Sequence, residues 1–377
     1  MRTPRPPEPA APVRPPPDGT PAEPGVAAGP DRRRTTSSRV LSPTAGAMSL
    51  TGGTMLVVGL GLAVFGLTTA LLIMLAKALF VVVGLGIALA GLSRLAHGLR
   101  GRPVDVVFGL AMTWLTVLVL AALLAPVLPL GSHADAAGAL TAPIYEPPSL
   151  FSEYPLGTNN YGLDMLARTL YGARTSLVVA TVAVLIGAVV GGTVGITAGF
   201  LRGALDSVVG VLANALLAVP PLILLVALGS VLDPGVRNIA LALSLLTIPS
   251  FVRLARANTI AFAQREFVLA ARALGATRLR LMVRELLPNV ALPMMSLAVV
   301  LVSMLIVAEA SLSFLGLGIQ PPEPTWGNMI AEGEAGVMEE HPFIVLVPGI
   351  CLFLTVFAFN LLGERAQRRW DPRSAKL

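Results

Sequence analysis

Cysteine is nearly missing from this chain. Cys351 stands alone among 377 residues, which excludes an intrachain disulfide and any cysteine-based metal cluster. Lysine is almost as scarce, with only Lys77 and Lys376. Neither precedes Ser or Thr, so no GxxxxGK[ST] phosphate loop exists. The three histidines, His97, His133 and His341, are scattered and form no HExxH helix or metal set. Charged residues reach only 13%, whereas soluble domains carry roughly 25%. These shortages exclude a disordered chain, a disulfide scaffold and an ordinary cytosolic enzyme. What the chain has instead is apolar length: 55% hydrophobic residues and a mean hydropathy of +0.78. That balance describes an all-α integral membrane protein with many helical spans.

The formal net charge of +6 is carried almost wholly by arginine. In a membrane protein such an excess reads as cytoplasmic loop charge rather than as a nucleic-acid footprint. Residues 1–47 are a Pro- and Arg-rich tail ending in the run Arg32, Arg33, Arg34 and Arg39. Proline fixes φ and removes donors, so the tail is expected to be a disordered cytoplasmic extension. Its arginines do not make an export signal, because the apolar run that follows is too long and lacks a small-residue cleavage site. Residues 50–98 are apolar almost throughout, too long for one crossing of a roughly 30 Å core. Two spans, 54–75 and 78–97, joined at Lys77, fit better. Further apolar stretches at 106–128, 175–199, 207–232, 237–256, 290–314 and 343–363 bring the expected total to eight.

Charge sets the expected orientation. Residues 253–285 hold seven arginines against Glu266 and Glu285, whereas 318–342 holds Glu323, Glu332, Glu334, Glu339 and Glu340 with no Lys or Arg. The positive-inside rule puts 257–289 in the cytoplasm and 131–173 and 318–342 outside. Eight spans then leave both termini, including Arg365, Arg368, Arg369 and Arg373, inside a bacterial cell membrane.

Within the spans, Asp and Glu are nearly absent, which argues against a proton-relay carrier or a self-sufficient channel. No catalytic constellation is visible. Three intramembrane features stand out. Gly187, Gly191, Gly195 and Gly199 recur every fourth residue and form a small-residue stripe suited to close helix contact, within this subunit or with a partner. Pro220 and Pro221 fall mid-span, where they bend or break a helix and can border a pathway. Glu309 is the single acidic residue well within an apolar stretch, either functional or reaching for the outer interface.

The segment 264–293, QREFVLAARALGATRLRLMVRELLPNVALP, is the most informative. Ala270, Ala271 and Ala273 crowd a short helix that Gly275 can break. A basic amphipathic helix follows, with Leu279, Met282, Val283, Leu286 and Leu287 apolar, and Pro288 is expected to stop it. Helix, glycine turn and helix make a compact knob. Physics alone allows it to dock in a groove of another protein or to lie on anionic lipid.

This segment resembles the EAA loop of binding-protein-dependent ABC importer permeases, on Leu269, Ala270, Ala271, Gly275, Leu287 and Pro288. Leu269 stands where that motif has Glu, with Glu266 one turn earlier. EYPLGTNNYGLDMLARTLYGARTSL at 153–177, AEASLSFLGLGIQPPEPTWGNMI at 308–330 and FLTVFAFNLLGERAQRRWDPR at 353–373 resemble the C-type permeases of dipeptide and oligopeptide importers. Gly162, Leu163 and Asp164 depart from that branch's usual Gly-Arg-Asp. The resemblance spans 104–373 and leaves the two spans at 54–97 as an extra hairpin. It implies a type I importer transmembrane domain of six core spans, itself non-catalytic. The implied partners are a second, related permease, two ATPase subunits that bind ATP and Mg, and an external binding protein. The implied ATPase-coupling set is Glu266, Leu269, Ala270, Ala271, Gly275, Ala276, Leu287 and Pro288. The implied cargo is peptide, or else nickel chelates, glutathione or oligosaccharides.

Overall fold

The computed structural model describes residues 51–61, 87–88, 91–92, 94–95 and 105–370, apart from 136, 140, 150, 151 and 335. Among these residues the chain is helical, with one isolated bridge between Thr158 and Asp164. The helices are α1 (Thr51–Gly61), α2 (Val106–Leu124), α3 (Met165–Leu201), α4 (Ala204–Ala218), α5 (Pro221–Gly229) and α6 (Val236–Phe262). They continue with α7 (Glu266–Ala273), α8 (Arg278–Phe314), α9 (Trp326–Ala331), α10 (Val337–Glu340) and α11 (Phe343–Trp370). Five of them are long and apolar enough to cross a membrane: α2, α3, α6, α8 and α11. The pair α4 and α5 meets that test only jointly and is bent by 85° at the break, giving six crossings if the pair is one. The expected extra hairpin at 54–97 falls largely outside the described residues, as does the tail at 1–47. Where it is described, Gly52 and Gly91 face each other so closely that a Cβ on Gly52 would lie 2.8 Å from the Gly91 carbonyl oxygen.

Helix α3 runs from Met165, ten residues before the apolar stretch begins. Asp164 caps it by accepting from the Leu166 N–H at 2.8 Å, which satisfies an otherwise orphaned donor. At 1.5 Å per residue its 37 residues extend about 55 Å, well beyond a roughly 30 Å core. The first turns, 165–173, therefore belong to a helix projecting from the apolar layer, where the sequence suggested only a polar segment.

Helices α3 and α6 form the tightest pair in the fold. The stripe of Gly187, Gly191, Gly195 and Gly199 lies along this seam. Cβ atoms there would come within 2.6 Å of the Ile248 and Val252 carbonyl oxygens, from Gly191 and Gly195, and 2.8 Å of the Arg256 carbonyl, from Gly199. The stripe is thus spent on packing inside this subunit. These contacts are with backbone, which cannot swing away. Gly191→Leu is therefore expected to cost about 1–3 kcal/mol or more in stability. Gly192 faces the flexible end of Met294 instead, so Gly192→Ala should cost much less. Thermal unfolding of both variants in nanodiscs checks this; equal midpoints would remove the seam from consideration.

Helix α8 departs from the sequence reading. Pro288 does not end the helix. Leu281–Leu286 form a π-helical turn, and the chain then continues helically from Leu287 through Phe314. The wider turn re-registers the backbone just where Pro288 has no N–H to give, and the Leu287 N–H reaches back to the Met282 carbonyl. A π-bulge thus absorbs the proline that an unmodified α-helix would not.

The fold has two distinct ends. At one, the loop between α2 and α3 meets the segment after α8. Asn159 donates to Glu332 at 3.0 Å, Arg168 pairs with Glu332, and Tyr145 stacks on His341. Trp326, fully buried, donates to the Thr169 carbonyl at 3.1 Å, pinning α9 against α3. At the other end lie α7, the start of α8 and the C-terminus of α3. The Asp105–Arg365 ion pair ties the start of α2 to the last turns of α11 there. The segments expected outside thus share one end, and the arginine-rich segment occupies the opposite one.

Candidate functional site

At the arginine-rich end, α7 and the start of α8 build a helix–turn–helix projection. Gly275 joins them with φ +82°, a conformation that glycine adopts without strain. Its N–H bonds to the Arg272 carbonyl at 3.0 Å and the Ala276 N–H to the Ala271 carbonyl at 3.1 Å, a helix C-terminal turn of the Schellman kind. Thr277 then caps α8 by accepting from the Arg280 N–H. The projection has its own small core of Val268, Leu281 and Leu286, against which Ala271, Ala276, Phe200 and Phe262 pack. The core roots the projection on α3 and α6.

The outer surface of the projection is apolar where water would prefer polar groups. Leu274 is 89% exposed and Leu279 67%, and Phe267, Leu269 and Val283 are exposed beside them. Glu266, Ala270 and Gly275 are also on this surface, with no atom within 4 Å of a Cβ placed on Gly275. Leu287 and Pro288 are exposed further along α8, beyond the π-turn. The set expected to couple to an ATPase therefore divides: Ala271 and Ala276 lean on the internal core, and Glu266, Leu269, Ala270 and Gly275 face outward.

Along the bundle, the 85° break between α4 and α5 opens an apolar cleft of about 500 Å³. Pro220 ends the connection in an extended conformation and Pro221 starts α5, where its missing N–H is harmless. Pro221, Leu222, Leu245, Met304 and Val307 wall the cleft, with Ser303 and Asn360 as polar points joined at 3.0 Å. Glu309 does not line it and does not reach the interface. It is 0% exposed and accepts from the Ser176 and Ser313 hydroxyls, both at 2.7 Å. Ser313 in turn accepts from the Ile319 N–H. The carboxyl group thus joins α3, α8 and the turn after α8; the sequence could not show that Ser176, 133 residues away, would be its partner.

Comparison with known proteins places this geometry. Residues 191–376 match the family described as the binding-protein-dependent transport system inner membrane component. The glutathione transport system permease protein GsiD of Shigella flexneri is 40% identical over 226 residues, covering 60% of this chain and 74% of that protein. GsiD of Escherichia coli O6:K15:H31 is 38% identical over the same length and coverage. This chain belongs to the inner-membrane permeases of binding-protein-dependent ABC importers. A solved structure, inward-facing MetNI methionine ABC transporter, aligns with a TM-score of 0.45 and 20% identity over 55% of this chain and 97% of that one.

In this permease several buried polar residues escaped the sequence reading. Arg168 is only 2% exposed and forms an ion pair with Glu332 while donating to the His133 carbonyl at 3.3 Å. Thr325 and Asn328 cap α9 reciprocally. A clue was present in Thr325-Trp326-Gly327-Asn328, a capping-box spacing. No signal linked Arg168 to a carboxylate 164 positions away. Among the described residues there is no cluster of three or more His, Cys, Asp or Glu side chains arranged to hold a metal.

Proposed function

We propose that this permease forms half of the membrane pathway of an ATP-driven importer of small peptides, with a second permease beside it and two ATPase subunits beneath it. The observation that carries this reading is the projection at Glu266–Arg280. An internally cored knob with leucines 89% and 67% exposed presents the kind of apolar patch that marks an interaction site. Its place at the arginine-rich end fits a cytoplasmic ATPase. Closure of the ATPases would shift the knob, and α8, continuous with it through the π-turn, would carry that shift to the cleft, giving alternating access. An external binding protein would deliver cargo to the opposite end. ATP and Mg would be bound by the ATPases, not by this chain.

The cargo reading rests on the resemblance to dipeptide and oligopeptide permeases. A glutathione reading is favoured by GsiD, whose name states that cargo, at 38–40% identity; glutathione is itself a small peptide. The complete complex in proteoliposomes, loaded with ATP, distinguishes the two. Uptake of labelled alanyl-alanine that excess alanyl-alanine competes for and glutathione does not supports the general peptide reading. Uptake of glutathione alone narrows the cargo to it, and uptake of neither removes the peptide class.

Orientation is checked separately. In a Cys351→Ser background, Ser132→Cys and Glu334→Cys should react with an impermeant maleimide added to intact cells, and Thr277→Cys only after lysis. Labelling of Thr277→Cys in intact cells would invert the assignment.

A further inference from the structure

At the end opposite the knob, a second cavity of about 510 Å³ lies between the first turns of α3, the start of α6 and the turn after α8. Its character differs from that of the apolar cleft. His133, Tyr171, Arg174, Thr175, Pro322 and Glu323 line it. Arg174 and Glu323 are both exposed, and neither side chain has an ion-pair or hydrogen-bond partner among the described residues. His133 and Tyr171 are stacked with ring centroids 3.6 Å apart and planes 1° from parallel, which makes one wall flat and rigid. Burial, and then the nearby Arg168 cation, hold the His133 imidazole below its usual pKa, while Glu323 opposes them. The ring is thus neutral near pH 7. The cavity therefore offers one free cation and one free carboxylate around a neutral aromatic wall.

A surface built only for solubility has no need to gather both signs in one concavity. Arg174 stands nine residues into α3, about 13 Å from its start, one position before the apolar stretch begins. A volume of this order holds a small organic ligand, and a few convergent polar groups fix a ligand's orientation.

We propose that this cavity is an entry subsite for the zwitterionic main chain of a small peptide, with Arg174 receiving the terminal carboxylate and Glu323 the terminal ammonium. Guanidinium matches a carboxylate in a two-pronged geometry that lysine cannot reproduce. The Tyr171–His133 wall accepts a side chain of any type, so the subsite reads peptide ends rather than sequence. This proposal rests on the peptide-import reading and adds a binding step in this chain itself, before the apolar cleft.

The test uses alanyl-alanine, N-acetyl-alanyl-alanine and alanyl-alanine amide, titrated by saturation-transfer NMR onto the full chain in nanodiscs. Wild-type protein should bind the free dipeptide at least about tenfold more tightly than either blocked form. Arg174→Gln should abolish the preference over the amide and keep that over the acetylated form. Glu323→Gln should do the reverse. Arg174→Lys should recover only part of the loss. Both residues are exposed, so the variants are expected to fold, and unfolding midpoints within 2 °C of wild type check this. Absence of any dipeptide signal, or equal affinity for the three probes, overturns the proposal. Uptake by the complete complex separates the two levels. If alanyl-alanine is transported and Arg174→Gln and Glu323→Gln transport it as wild type does, the subsite fails and the peptide-import reading stands. If wild-type complex transports no peptide, the cargo reading itself fails.

Discussion

Leu274→Glu should abolish ATP-driven uptake while leaving the stability of the isolated permease within about 0.5 kcal/mol of wild type. Leu274 is 89% exposed at the tip of the knob, so a charge there disturbs no internal packing. In an interface, the same charge would be buried unpaired against an apolar groove, a cost large enough to prevent docking. Gly275→Val should also uncouple transport, by a different route. Its φ of +82° costs a residue with a side chain about 1–2 kcal/mol, and a β-branched one more. The turn would open and misalign α7 with α8. Gly275→Asn, which tolerates this conformation, should retain most activity. Copurification of ATPase subunits, substrate-stimulated ATP hydrolysis and peptide uptake in reconstituted complex are the measurements. Arg278→Gln and Arg280→Gln provide the contrast: smaller losses are expected if these side chains only face solvent or headgroups. Wild-type hydrolysis and uptake in both Leu274→Glu and Gly275→Val would show that another element couples the ATPases.

Glu332→Ala should destabilise the fold by about 3–5 kcal/mol, the usual cost of stranding a buried charge. Arg168 is 2% exposed, and the carboxylate that pairs with it also receives the Asn159 amide at 3.0 Å. Removing Glu332 leaves the nearly buried guanidinium without its carboxylate, with the His133 carbonyl as its remaining hydrogen-bond acceptor. The double variant Arg168→Met/Glu332→Leu should regain much of this loss, since it removes both charges and keeps the volume. Denaturant unfolding in nanodiscs reads the difference, and the costs of Arg168→Met and Glu332→Leu made singly should sum to well above that of the double. If Glu332→Ala costs less than about 0.5 kcal/mol, the pair is a surface contact and does not hold this end together. Because the pair links the first turn of α3 to the segment after α8, its loss should also loosen the α9 turn that Trp326 pins through the Thr169 carbonyl.

Most of what defines the protein class was present in the order of residues. Twenty-residue apolar runs can satisfy backbone polar groups in lipid only as helices, so composition and run length were enough for the five long spans α2, α3, α6, α8 and α11, and for the apolar run that α4 and α5 divide between them. The Ala270-Ala271-Gly275 pattern marked the knob, because a break between two short amphipathic stretches is encoded locally by a glycine and a cap. The glycine stripe was equally visible, since a four-residue period puts Gly187, Gly191, Gly195 and Gly199 on one face.

Other features depended on distant partners. Nothing in the stripe named α6 as its counterpart; that choice follows from backbone complementarity with Ile248, Val252 and Arg256 across the seam. Pro288 looked like a stop signal because a proline removes one hydrogen bond. Only the folded chain shows the π-turn at Leu281–Leu286 that accommodates the missing donor and lets α8 run unbroken from knob to outer end. Glu309 read from sequence as an intramembrane carboxylate, either functional or reaching for the outer interface. Its hydroxyl partners lie both four residues away, at Ser313, and 133 residues away, at Ser176, and the second contact is created only when α3 packs on α8. Local periodicity, charge asymmetry and capping are properties of short segments, so the sequence by itself determined the apolar helices, the expected sidedness and the knob. The pairing of helices, the burial of Arg168 and Glu309, and the two cavities depend on atoms far apart in the chain, and the tertiary structure alone decided them.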